Sequence, residues 1–130
     1  MTDKPSGDSP LRSFLDFSLG EDPEGSAVAI LDVDERDLNP HGVVHGGVVF
    51  TLVDTAMGQA TMDVTEDGMC CATIELSVRY LRPITGGRLV ATASVLKAGR
   101  RVRHLEGTVI VEGDGRPVAV VQESFAVMEA

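Results

Sequence analysis

Lysine is nearly absent from this 130-residue chain: among eleven basic residues, Lys4 and Lys97 are the two lysines. The formal net charge is −9 at pH 7. An acidic surface repels the phosphate backbone, so nucleic acid is not an expected partner. The same acidity is compatible with a salt-rich cytoplasm.

Long apolar runs are absent too. None approaches the ~18 apolar residues that a membrane-spanning helix needs, and the N-terminus lacks a signal-peptide pattern. We therefore expect a cytoplasmic protein with no membrane partner. The two cysteines, Cys70 and Cys71, are adjacent, which suits neither an ordinary disulfide nor a chelating pair, so we expect reduced thiols near the core.

The chain is long enough for one domain with its own core. Residues 1–10 are rich in proline and serine and predict a disordered leader, so the single domain is expected over residues 11–130. The predicted elements are a helix at 11–19, a strand at 26–33, a long helix at about 46–62, and strands at 72–81, 88–96, 101–112 and 117–128. Short loops between the last four strands predict an antiparallel sheet and an α+β fold wrapped around the long helix.

The long helix carries the most informative residue, Asp54. Its neighbours from Val48 to Ala60 are apolar on nearly all sides, which predicts an enclosed helix. A buried, unpaired carboxylate costs several kcal/mol, and a sequence tolerates it mainly where chemistry requires it. Gly46 and Gly47 leave the first N–H groups of the helix approachable, and those groups could hold a carbonyl oxygen that gains negative charge.

The strand predicted at 72–81 alternates regularly between two faces. Apolar residues occupy one predicted face: Ile74, Leu76, Val78 and Tyr80. Thr73 and the polar residues that alternate with it occupy the other face. The alternation predicts a strand with one buried and one solvated side.

Two motifs together resemble a known family. The string Asn39-x5-His45-Gly46-Gly47-x6-Asp54, followed by Thr73-Ile74-Glu75-Leu76-x3-Tyr80-Leu81-Arg82-Pro83, resembles the hotdog-fold acyl-CoA thioesterases of the phenylacetate-degradation (PaaI-like) type. The resemblance covers about residues 25–128. It implies an antiparallel sheet curled around one long helix. It also implies a homodimer or homotetramer with active sites at the dimer interface.

The resemblance implies a role for each motif residue. Asp54 would be the nucleophile or general base, and the Gly46 N–H would polarise the thioester carbonyl. His45 and Asn39 would help to bind and orient the thioester, and Thr73 would position the attacking water. Structural alternatives stay open: a carboxylate at a subunit contact, a helix-entry histidine, a turn asparagine and an ordinary strand threonine.

The CoA contacts implied by the resemblance lie around Arg82 and Pro83 and in the turn containing Lys97, Arg100 and Arg101. The alternative for each basic residue is a solvated surface charge. Because CoA is an anion and the protein is acidic, a local basic patch must exist if CoA binds. CoA belongs to the substrate, so no separate cofactor is implied.

The expected activity is hydrolysis of an acyl-CoA thioester to a carboxylic acid and CoA. One alternative is a non-catalytic acyl-CoA binding or regulatory module of the same fold. Another is a hotdog acyl dehydratase, although its different pairing of histidine and acid is not visible here. No metal is expected, because His41 and His45 lack further clustered ligands.

Overall fold

The computed structural model describes residues 9–130, so most of the predicted leader lies outside the described residues. Helix α1 spans Pro10–Leu15 and is capped by the Ser9 side chain. Strand β1 follows at Ser18–Glu21. The prediction of one helix over 11–19 is therefore wrong in its second half. The helix stops because Asp16 adopts a left-handed conformation with φ of 59°, which ends the helical hydrogen bonding.

Strand β2 spans Ala27–Asp32, and a short 3₁₀ helix at Glu35–Asp37 leads toward the long helix α2 at Gly46–Asp63. Four strands follow: β3 at Met69–Tyr80, β4 at Arg88–Ala98, β5 at Val102–Val111 and β6 at Asp114–Glu129. The predicted long helix and the four later strands are confirmed. Lys97, predicted in a turn, belongs to β4.

The strands form one six-stranded sheet in the order β1-β2-β4-β5-β6-β3. Every neighbouring pair is antiparallel, as the short loops predict. Strand β3 pairs with β6 rather than with its sequence neighbour β4, so it forms one edge of the sheet. A long edge strand leaves a row of backbone groups open for pairing with another chain.

The core lies between the sheet and α2, which packs against β2, β3, β4, β5 and β6. Small residues allow the close approach. A Cβ on Gly107 of β5 would lie 3.1 Å from the side chains of both Val53 and Met57. The free thiols of Cys70 and Cys71 are half-buried, and Cys71 packs against the core. No helix within residues 9–130 is long and apolar enough to cross a membrane.

Candidate active site

Helix α2 buries one face and leaves the other open. The buried face carries eight residues: Val48, Val49, Leu52, Val53, Ala56, Met57, Ala60 and Thr61. On the opposite face Phe50 is 41% exposed, and Asp54 and Gly58 are half-buried. The prediction of a helix enclosed on all sides is wrong for a single chain, because the sheet covers one face. Asp54 consequently borders the open face rather than the core.

A β-bulge brings Thr73 to Asp54. The register of β3 against β6 shifts between Thr73 and Glu75, so the strict alternation predicted for this strand is broken. Ile74 is 57% exposed, whereas Leu76 packs against the core. The extra residue turns Thr73 to the helix side, where its Oγ1 lies 3.4 Å from Asp54 Oδ1.

Glu123 on β6 completes this group, and the sequence analysis missed it. The residue is 3% exposed. Its Oε2 accepts a hydrogen bond of 3.2 Å from the Thr73 hydroxyl, while its Oε1 is buried without a partner among the described residues. Burial, and after it the neighbouring Asp54 carboxylate, raise the pKa of Glu123 to about 10, while the Thr73 hydrogen bond acts in the opposite direction. Glu123 is therefore a neutral acid at pH 7.

A signal for Glu123 does exist in the sequence. The strand predicted at 117–128 places Glu123 on the same face as Val121 and Phe125, both of which are buried. A lone carboxyl in an inward row is the same kind of anomaly that identifies Asp54. It carries no family motif, so the pattern alone gave it no role.

The first turn of α2 presents one free backbone donor. His45 caps the helix: its Nδ1 accepts the Gly47 N–H at 2.8 Å. The Val48 N–H donates to the His45 carbonyl at 2.9 Å. The Gly46 N–H has no partner among residues 9–130. Since Nδ1 of His45 accepts, the neutral ring carries its proton on Nε2, on an exposed side chain.

Tyr80 explains why a glycine stands at position 46. The Tyr80 hydroxyl donates to the Gly46 carbonyl at 2.7 Å. A Cβ on Gly46 would lie 3.2 Å from the Tyr80 ring. The close approach that the paired glycines predict is therefore made, at least in part, by a side chain of the same protein. Partial burial raises the pKa of the Tyr80 hydroxyl, which stays protonated at neutral pH.

The loop before α2 is held by side-chain to backbone hydrogen bonds. Oδ1 of Asn39 accepts the backbone N–H groups of His41 at 2.9 Å and Val43 at 3.4 Å, as a turn residue does. Asp37, another residue that the sequence analysis missed, is 1% exposed. Its Oδ2 accepts the N–H of Asp34, the N-cap of the 3₁₀ helix, at 2.9 Å, and its carbonyl accepts the His45 N–H at 2.8 Å. Burial raises the pKa of the Asp37 carboxyl.

Arg82 and Pro83 lie close to the start of α2. Together with Gly46 and Tyr80 they line an open cleft of about 340 Å³. Arg82 is half-buried, and its Nη1 donates to the Pro117 carbonyl. That hydrogen bond fixes the guanidinium beside the cleft.

The other predicted basic residues lie elsewhere in the chain. Lys97, Arg100 and Arg101 are exposed at the far end of β4. The 11 residues of β4 separate them from the Arg82 end by ~33 Å at the usual rise per strand residue. A single chain therefore does not bring the two predicted CoA regions together. The neighbouring Arg103 is buried and donates to the Val64 carbonyl at the end of α2.

Comparison with known proteins connects this geometry to a family. Residues 41–118, from the loop before α2 to the start of β6, match the thioesterase superfamily. A protein of Halobacterium salinarum is 37% identical over 130 residues, covering 92% of this chain and 85% of the relative. The proofreading thioesterase EntH of Klebsiella pneumoniae is 30% identical over 104 residues, covering 80% of this chain and 75% of the relative.

Solved structures share the architecture. The thioesterase HI1161 of Haemophilus influenzae superposes with a TM-score of 0.86 at 25% identity, covering 92% of this chain and 82% of that one. The BH2602 protein of Bacillus halodurans, solved with CoA, gives a TM-score of 0.88 at 33% identity and covers 95% and 81%. The fold is that of the hotdog thioester hydrolases. The chain belongs to the thioesterase superfamily.

Proposed function

We propose that this protein hydrolyses an acyl-CoA thioester to a free carboxylic acid and CoA, with Asp54 as the general base or nucleophile. The observation that carries the proposal is the position of Asp54 on the open face of α2, in contact with the Thr73 hydroxyl. A carboxylate beside a hydroxyl that can orient water suits general-base or nucleophilic catalysis. Membership of the superfamily and the similarity to EntH support the reaction class.

The reaction has two steps in either form. In the first form Asp54 takes a proton from water, the oxygen attacks the thioester carbon, and the C–S bond breaks to release CoA as its thiolate. In the second form Asp54 attacks directly, CoA leaves, and water hydrolyses the resulting mixed anhydride. Both forms place negative charge on the carbonyl oxygen, for which the Gly46 N–H is the proposed donor.

The spacing within α2 favours a site shared between two chains. Gly46 and Asp54 are eight residues apart, which is ~12 Å along a helix axis. One thioester carbonyl needs each group within about 3 Å of its reacting atoms. We therefore build each site from Asp54 of one chain and Gly46 of a second chain.

A two-fold axis supplies that arrangement. If two α2 helices pack antiparallel around residue 50, residue 46 of each lies opposite residue 54 of the other. Phe50, 41% exposed, stands at this midpoint. The edge strand β3 borders the same face, since its Thr73 and Tyr80 contact Asp54 and Gly46 of α2, and it offers a second contact. The proposed assembly is a homodimer, or a homotetramer built from such dimers.

The same arrangement brings the proposed CoA contacts into reach. Antiparallel helices place the Arg82 end of one chain on the same side as the turn with Lys97, Arg100 and Arg101 of the other. These cations would bind the CoA phosphates on an otherwise acidic protein. The complex of BH2602 with CoA supports this ligand class.

The test measures thiol release from a panel of acyl-CoA esters for the wild type, Asp54→Asn and the matched control Asp63→Asn. Asp63 ends the same helix and accepts only a surface hydrogen bond from Gln59 in the described structure. We expect Asp54→Asn to lower turnover by at least ~100-fold, because the amide is neither base nor nucleophile. Asp63→Asn should retain turnover.

Two results would contradict the proposal. Turnover of Asp54→Asn within a few-fold of the wild type would remove Asp54 from the chemistry. Tight binding of acyl-CoA esters with no thiol release from any of them would favour the non-catalytic binding module instead.

A further inference from the structure

Glu123 occupies a position where an ionised carboxylate would have a high free-energy cost of burial. Its strand neighbours are Leu105 on β5 and Leu76 on β3. Two titratable groups interact with it: Asp54 of α2 raises the pKa of Glu123, and Glu123 raises the pKa of Cys71 of β3. Arg103, two residues from Leu105 on β5, points its guanidinium to the Val64 carbonyl. No basic side chain within residues 9–130 forms an ion pair with Glu123.

A proton on Glu123 would allow the carboxyl groups of Glu123 and Asp54 to hydrogen-bond to each other. Two ionised carboxylates cannot hydrogen-bond to each other, since both are acceptors. Once protonated, Glu123 keeps Oε2 as an acceptor for the Thr73 hydroxyl and gains one O–H, for which Oε1 is available because it has no partner among the described residues. Asp54, whose Oδ1 lies 3.4 Å from the same Thr73 hydroxyl, is the carboxylate that raises the pKa of Glu123. An O–H donated to a carboxylate is among the stronger hydrogen bonds in proteins.

Asp54 needs such a second support. Its contact with the Thr73 hydroxyl is 3.4 Å, well beyond the ~2.7–2.8 Å that is usual for an O–H···O hydrogen bond. A carboxylate held by that contact alone would be free to rotate at the open face. Glu123 sits behind it, 3% exposed, and so can hold Asp54 without contacting the substrate.

We propose that Glu123 is a positioning residue for thioester hydrolysis, a neutral acid whose O–H holds the Asp54 carboxylate in its reactive orientation. The inference rests on the proposed role of Asp54 and adds to it. Glu123 exchanges no proton with the substrate during turnover; its proton stays between the two carboxyl groups.

The experiment compares Glu123→Leu, Glu123→Gln, Asp54→Asn and the control Glu106→Gln. Glu106 is exposed on the neighbouring strand β5. Thiol release from an acyl-CoA ester gives kcat and KM between pH 7 and 10.5, with the uncatalysed rate subtracted. Leucine removes the donor but fills similar volume, so we expect kcat to fall by on the order of 10–100-fold from misorientation of Asp54. KM should stay within about twofold, because Glu123 does not reach the substrate.

Glutamine provides partial rescue and a distinct pH signature. Its amide can donate to Asp54 and accept from Thr73, so the kcat of Glu123→Gln should lie well above that of Glu123→Leu. In the wild type, Glu123 holds its proton below a pKa of about 10, and kcat should fall as pH rises through that value. Glutamine has no proton to lose there, so the alkaline fall should disappear in Glu123→Gln and persist in Glu106→Gln.

Three results would overturn the inference: wild-type kcat in Glu123→Leu, an unchanged alkaline fall in Glu123→Gln, or a change confined to KM. If the leucine variant does not fold, the pH profile of the near-isosteric glutamine variant still decides. Asp54→Asn separates the two proposals. Should it be inactive while Glu123→Leu is fully active, the positioning role fails and the proposed function stands; should it stay active, the proposed function itself fails.

Discussion

Gly46 combines two demands that one residue type meets. Its Cα lies under the Tyr80 ring, where a Cβ would approach to 3.2 Å, and its N–H is the proposed donor to the thioester oxygen. The first demand is steric and the second is electronic. A substitution that adds a Cβ but keeps the N–H changes only the steric demand. A substitution that adds a Cβ and also removes the N–H changes both demands.

Gly46→Pro and Gly46→Ala make that separation. Both add a Cβ against Tyr80, but proline alone removes the N–H. Proline is favoured at the first position of a helix, and His45 already has φ of −61° and ψ of 135°, which suits the residue before a proline. We expect Gly46→Pro to lose ~10²–10³-fold in kcat, the usual effect of removing one oxyanion donor. Gly46→Ala should lose far less in the same thiol-release assay, and equal losses would leave Gly46 a purely steric role.

The site residues that sequence predicts are those with a local signature. Asp54 interrupts an apolar helix and Gly46 stands in a glycine pair, so both are visible without the fold. Glu123 lies 69 positions beyond Asp54 along the chain, and sheet pairing alone brings them together. Asn39 and His45 were visible too, but their hydrogen bonds match the structural alternatives, turn and cap.

At the scale of elements, the bulge in β3 decides which residues meet α2. With strict alternation, the side chains of Thr73 and Leu76 would lie on opposite faces of β3. One extra residue at Ile74 places both side chains on the same face. Sequence predicts the strand but not the bulge, because Ile74 is apolar and fits the wrong register equally well. Strand β1 was missed for a related reason: its four residues carry too short a pattern to outweigh the helical one before it.

The turn after β4 supports an independent prediction about CoA. Arg100→Ala with Arg101→Ala removes two exposed cations that would bind phosphates, each worth about 0.5–1.5 kcal/mol after discounting for solvent. KM for acyl-CoA should rise several-fold and kcat should hardly change, because the phosphates lie far from the thioester and bind ground and transition states alike. Added salt should weaken the wild type in the same way.

Two controls accompany this double variant. A short acyl thioester without the nucleotide should respond to neither the substitutions nor the salt. Arg79→Ala removes an exposed cation from the outer face of the sheet and should leave KM as it was. An unaltered KM for the CoA ester in the double variant would indicate that the phosphates bind near Arg82 instead. Arg88 is the weaker candidate because it forms an ion pair with Asp32 at 2.8 Å.

At the scale of the molecule, composition and pattern predict the architecture of the sheet and helix, but they do not predict the order of the strands in the sheet. The antiparallel sheet and central helix follow from loop lengths and periodicity. The position of β3 beside β6 does not, since it depends on which strand edges remain free after β4, β5 and β6 pair in sequence. Thr73 and Tyr80 of β3 contact Asp54 and Gly46 of α2, so β3 borders the open face of α2, and the proposed second chain would cover both.

Mixing two inactive variants tests this two-chain site directly. An Asp54→Asn homodimer lacks the acid in both sites, and a Gly46→Pro homodimer lacks the N–H donor in both. A mixed dimer with shared sites holds one site with both defects and one with none. Refolding an equal mixture gives half mixed dimers by random pairing, so turnover should return to roughly a quarter of the wild type.

Sites confined to one chain predict a different result, because every site in the mixture would then carry one defect and turnover would not return. The assay needs an assembled protein, so sedimentation at micromolar concentration accompanies it, and the wild type should exceed the 13.8 kDa of one chain. Phe50→Arg brings two like charges together at the proposed axis. It should shift the mass toward that of one chain and abolish turnover with Asp54 and Gly46 both intact. A monomeric Phe50→Arg protein with full activity would place the whole reaction within one chain.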